Sequence, residues 1–156
     1  MLTEKRTLFL ACILLRVALG VTFLVACADR FGFLGAYGSR NVSWGDWKHF
    51  EQNVAILTWF VPKTLIPGLA AVETAIEATL GIALLVGIYP RIVAWSSAAL
   101  LASFALTMSI AMGIVAPVSY SVFTAAGSAL LLGAVAAPRD NHVANSVASA
   151  TGAAPS

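Results

Sequence analysis

Residues 64–88 read TLIPGLAAVETAIEATLGIALLVGI. As a helix, at 1.5 Å per residue, the stretch rises about 37 Å, enough to cross about 30 Å of hydrocarbon. It is far too long for a strand, it carries a proline near its start, and a glycine stands near its end. Its only charged residues are Glu73 and Glu77, four apart and so on one helical face. Eleven Leu, Ile and Val residues each return roughly 0.3–0.6 kcal/mol on insertion, while each buried acid costs roughly 2.5–3.5 kcal/mol. The segment is a marginal membrane span unless a partner charge, a proton or water compensates the two glutamates.

Three further stretches match it in length and character: residues 7–28, 92–115 and 117–137. The 156-residue chain is 60% hydrophobic and 10% charged, whereas about 25% is usual for a soluble domain, so its solvent is expected to be lipid. Lys5 and Arg6 precede the first apolar run, but the run exceeds a signal peptide's core and contains Arg16, which favours a retained span. Between the first two spans, Trp47, Phe50, Val54, Leu57 and Val61 recur at helical spacing. Ser43 or Asp46 offers a cap and Pro62 a stop, which predicts an amphipathic interfacial helix over residues 46–61. A lid packed on the bundle's end is the other reading of the same pattern. The connectors Gly87–Arg91 and Gly113–Pro117 are short, so successive spans are antiparallel neighbours. The expected fold is all-α: an antiparallel four-helix transmembrane bundle with an interfacial helix between spans one and two. Residues 138–156 are expected to form a disordered tail. Both termini are placed in the cytoplasm and the long loop outside, in a bacterial cell membrane. The basic residues are scattered singly, so no nucleic-acid partner is expected.

Arg16 lies at nearly the depth of Glu77 if spans one and two run antiparallel with aligned ends, and Gly20 and Gly81 allow close approach beside them. An Arg16–Glu77 ion pair follows as the expectation. Two carboxylates and one guanidinium do not balance, so Glu73 is expected to carry a proton. That makes Glu73 the candidate catalytic residue, with Arg16, Glu77 and Tyr120 as candidate substrate-binding residues. The competing reading is that the three charges only hold the helices together. Tyr120 is expected to line a cavity with Trp95 or Phe104. Cys12 and Cys27 stand about 22 Å apart along one helix and cannot bridge. Met108 and Met112 read as packing, and His49 and His142 make no haem pair, so neither a metal site nor a covalently bound cofactor is expected. No nucleotide or flavin motif occurs, so electrons would have to come from a partner subunit or a lipid-soluble quinone.

The stretches LRVALGVTFL, residues 15–24, and EATLGIALLVGIYPRIVA, residues 77–94, resemble the DoxX family of small four-helix membrane proteins. The resemblance extends over about residues 15–135. It implies a non-autonomous membrane subunit of a quinone-linked oxidoreductase complex, of the sulfur-compound or thiol-stress type, supplying a quinone and proton site or an anchor. Its partners would be membrane lipid and the complex's other subunits, with a second copy of the chain as a further candidate. A non-catalytic scaffold or assembly chaperone is the alternative, and a proton-coupled small-solute transporter the weaker one.

Overall fold

The computed structural model describes residues 2–136. Among these residues the chain is all-helical, without strands. In order come α1 (Leu2–Arg30), α2 (Trp47–Leu57), α3 (Ile66–Val86), α4 (Pro90–Met112), α5 (Val115–Ser119) and α6 (Val122–Val135), with a 3-10 turn at Lys63–Leu65 before α3. Three segments are long and apolar enough to cross a membrane: Thr3–Arg30, Lys63–Val86 and Pro90–Met112. α6 has 14 residues and rises about 21 Å, short of the hydrocarbon thickness. The expected unbroken span over residues 117–137 is therefore corrected. The chain breaks at Tyr120 and Ser121, where Ser121 takes a left-handed φ of 56°, leaving α5 as a separate five-residue helix. The tail expected over residues 138–156 lies outside the described residues.

α1 and α3 run antiparallel: Arg16 bonds to Leu84, while Cys27 bonds to Thr74. They cross at two glycines. A Cβ on Gly20 would stand 2.9 Å from Leu85 Cγ and 3.0 Å from the Gly81 carbonyl oxygen, so the crossing admits no side chain there. α3 ends because Gly87 takes φ 82° and both its own N–H and that of Ile88 return to the Ala83 carbonyl. Pro90 then starts α4 as its first residue. The widest helix–helix contact is α4 on α6. Ala94, Ser97, Ala98, Leu101 and Ala105 of α4 are buried, as are Ala129, Leu132 and Gly133 of α6. Small residues at helical spacing let these backbones close without a hydrophobic drive from water. A second, smaller core joins Phe50 and Val54 of α2 to Ile66 and Ala70 at the start of α3. α2 therefore lies against the start of α3, next to the α1 C-terminus. It stops at Leu57, four residues before the expected end at Val61.

Candidate functional site

The last two residues of α1 organise one end of the molecule. Asp29 and Arg30 are 4% and 2% exposed. The Asp29 carboxylate accepts hydrogen bonds from the backbone N–H groups of Ser43, Trp44 and Gly45 at 2.9, 3.1 and 3.2 Å. This folds the glycine-rich loop back onto the helix end, and Gly45 makes the fold possible. It sits at φ 67°, and a Cβ there would collide with the backbone at Ala36 and Tyr37.

Arg30 points the other way, into the helices. A helical side chain leans toward its own N-terminus, so an arginine at the end of α1 reaches back into the bundle. Its Nη2 lies 2.7 Å from Glu77 Oε2 and 3.6 Å from Glu73 Oε1. Its Nη1 donates to Thr74 Oγ1 at 2.8 Å, and that hydroxyl donates to the Ala70 carbonyl. The guanidinium carbon sits 3.9 Å from the Phe50 ring centroid and 5.2 Å from that of Trp44, so α2 and its preceding loop close an aromatic cover over the charge. Arg30 Nε is buried without a hydrogen-bond partner. The two acids are held unequally. The Glu77 side chain is 3% exposed and that of Glu73 is 18% exposed.

The expected Arg16–Glu77 pair is corrected by this arrangement: Glu77 pairs with Arg30. The stagger of α1 against α3 is larger than aligned ends would give. At the level of Gly20 and Gly81, Arg16 has already passed Glu77, and its lean carries it further away. Arg16 Nε donates to the Leu84 carbonyl at 3.0 Å and Nη2 to the Leu85 carbonyl at 3.4 Å, which caps the C-terminal end of α3. Gly87, beside that guanidinium, is required by its left-handed φ of 82°.

A cavity of about 390 Å³ adjoins the charged cluster. Glu73, Glu77 and Arg30 line it together with Phe104, Met108 and Tyr120. Tyr120 is 68% exposed and stands at the rim. Of the expected lining residues Phe104 is present, whereas Trp95 packs against Gly133 on the far side of α4. His49 also reaches the cavity. Its ring stacks on Tyr37 with centroids 3.8 Å apart, and its Nδ1 faces Asp46 Oδ2 at 2.8 Å. Cys27 is buried, with its thiol toward the Thr74 carbonyl at 3.7 Å. Glu73, Glu77 and Tyr120 therefore share one site, and Arg16 lies outside it. The missed member is Arg30. Its one signal was the Asp-Arg pair at the boundary of an apolar run.

A family model described as methylamine utilisation protein MauE matches residues 6–119. This overturns the DoxX assignment. Both stretches that carried the resemblance fall within the matched residues, and what they share with DoxX proteins is the glycine-punctuated apolar texture common to small helical membrane proteins. No curated protein and no solved structure matches the chain. The family match and the three membrane-length helices make the chain an integral membrane protein.

Proposed function

The chain belongs to the methylamine utilisation protein MauE family, and we propose that it is a membrane-embedded accessory protein of a methylamine dehydrogenase system. Using methylamine begins with removing electrons and protons from a C–N unit, so the system is an oxidoreductase. This chain carries no nucleotide motif of its own and acts beside the enzyme. Its working part is the Arg30–Glu73–Glu77 cluster and the cavity next to it. The observation that carries this reading is the unequal hold on the two acids. Glu77 is clamped by Arg30 at 2.7 Å, and Glu73 stands off at 3.6 Å with its side chain partly open to the cavity. A fixed ion pair beside a looser carboxyl suits proton exchange with a ligand or a partner.

The finer proposal is that the cavity takes the ring of a lipid-soluble quinone. Two features support it. The volume suits a ring rather than an ion, and Phe104 and Tyr120 offer flat apolar faces. A ring carbonyl would accept a hydrogen bond from the protonated Glu73 carboxyl, which opens to the cavity. Cytoplasmic termini in a bacterial cell membrane, with α2 on the outer side, go with this reading. The test is Glu73→Gln in cells that depend on this chain for methylamine oxidation. Methylamine-dependent electron transfer by their membranes is expected to stop, while the variant keeps its thermal unfolding midpoint in detergent and the dehydrogenase keeps its abundance. Full activity in Glu73→Gln would remove Glu73 from the mechanism. Loss of the dehydrogenase protein itself would move the role to maturation of that enzyme.

A further inference from the structure

Glu73 belongs to a membrane-length segment, and the cavity is the opening it lines. A proton that reaches it from water has to cross that opening. The α1 and α4 walls offer it nothing: Phe23, Leu101, Phe104 and Met108 are apolar. The α2 wall differs. His49, Gln52 and Asn53 line it, spaced by three and four and so on one helical face. The amides do not titrate near neutral pH, whereas histidine is the one side chain that ordinarily does. We propose that His49, oriented by Asp46, passes protons between bulk water and Glu73. The proposal rests on the reading of Glu73 as a proton-exchanging group.

The ring is held for that work. Its Nδ1 lies 2.9 and 2.8 Å from the two Asp46 carboxylate oxygens, and Oδ1 also accepts from the His49 backbone N–H at 2.9 Å. An ionised carboxylate only accepts, so Nδ1 carries its hydrogen and Nε2 is the nitrogen left for exchange. Tyr37 lies flat on the ring, with centroids 3.8 Å apart and planes 8° apart, which keeps it from turning. The side chains of Asp46 and His49 are 50% and 31% exposed, so the pair meets water while His49 lines the cavity. In the transfer, Nε2 takes a proton from water and the ring becomes imidazolium. The same proton then leaves Nε2 for the Glu73 carboxylate, directly or through one water, and the neutral ring keeps its Nδ1 hydrogen on Asp46. No electron moves. Arg30 and Glu77 also line the cavity but are clamped to each other at 2.7 Å, which leaves Glu73 as the acid free to receive.

The test follows the Glu73 proton itself. Purified full-length chain in detergent is given a pH jump and watched by time-resolved infrared spectroscopy, with the carboxylic-acid band that Glu73→Gln lacks as the reporter. In His49→Gln that band is expected to relax about a hundredfold more slowly, the low end for a positioned proton-transfer group, and added imidazole is expected to restore the rate. The substitution keeps the backbone N–H that caps α2, and imidazole would not repair a damaged fold. Asp46→Asn keeps a cap but offers Nδ1 an amide N–H as readily as an oxygen, so the ring loses its fixed tautomer. That variant is expected to slow the band by a smaller factor. An unchanged rate in His49→Gln, or a slowing that imidazole does not relieve, would overturn the relay and leave Glu73 a titrating group. A wild-type rate in Asp46→Asn would overturn the part given to Asp46. A wild-type chain in which no such band responds to pH would overturn the relay and the proton-exchanging role of Glu73 together.

Discussion

Arg30 ties the end of α1 to α3, to α2 and to the loop before α2. It neutralises Glu77, attracts Glu73, donates to Thr74 and lies beneath Phe50 and Trp44. Removing it strands Glu77, whose side chain is 3% exposed. Arg30→Leu is expected to cost about 3–5 kcal/mol, and Arg30→Leu with Glu77→Leu less than Arg30→Leu alone, because the double change leaves no clamped charge behind. Thermal unfolding in detergent, run as a double-mutant cycle, measures the coupling. A zero coupling energy would mean that the 2.7 Å contact does not contribute. The acids themselves were legible in the sequence, since any carboxylate inside an apolar run of that length demands an explanation. Their partner was not. A basic residue at the border of a span ordinarily marks the aqueous side, and only the backward lean of a helical side chain brings Arg30 inside. Arg16 misled for the matching reason: it sat within the apolar run, but its lean carried it to carbonyl oxygens at the end of α3 instead.

At the scale of elements, glycine and capping chemistry decide what packs on what. Gly20 and Gly81 were expected to allow close approach beside an Arg16–Glu77 pair; they meet each other instead, in a different register. Gly20→Leu would drive a side chain into Leu85 and the Gly81 carbonyl. Overpacking of this kind costs about 1–3 kcal/mol, and the expected outcome is loss of a Cys27 to Thr74→Cys cross-link across α1 and α3. An undiminished cross-link would show that the helices do not cross there. α2 was legible from its period and from Asp46, whose side chain accepts from the His49 backbone N–H. That hydrogen bond, with the His49 ring beside it, holds the Asp46 carboxyl below the usual carboxylate range. A depressed folded value means the cap's stabilisation is complete above the unfolded value near pH 4 and is lost as pH falls through the lower folded one. Amide protection across Trp47–Leu57, measured relative to the intrinsic exchange rate at each pH, is therefore expected to fall on acidification below about pH 4, and Asp46→Asn is expected to flatten that dependence. A wild-type profile in Asp46→Asn would exclude the cap as its source. The break before α6 was not legible. Apolar residues flank the stretch Ser119–Ser121 on both sides, and a hydropathy reading joins them into one run.

The whole molecule presents two unlike ends. One gathers Arg30, the two glutamates, α2 and the loop, and the other gathers Arg16, Lys5 and the turn at Gly87. The first end carries an exposed aromatic pair, Trp59 and Phe60, at 69% and 65%, with ring centroids 5.9 Å apart, next to the 3-10 turn that begins at Lys63. Such a pair suits the headgroup level of a bilayer. In a variant that keeps Trp59 as its only tryptophan, lipids brominated near the headgroup are expected to quench fluorescence more than lipids brominated near the chain ends. The reverse order would put that end deep in the hydrocarbon. At the same end α6 starts about two turns inside α4, with α5 folded over the gap, so a bilayer flush with its longer neighbours meets a step. Lipid beside a short helix thins to follow it. The step falls at Tyr120, on the rim of the cavity that holds Glu73. A bilayer thinned at that point would bring bulk water closer to the Glu73 carboxyl, which is what the proposed proton exchange there would need.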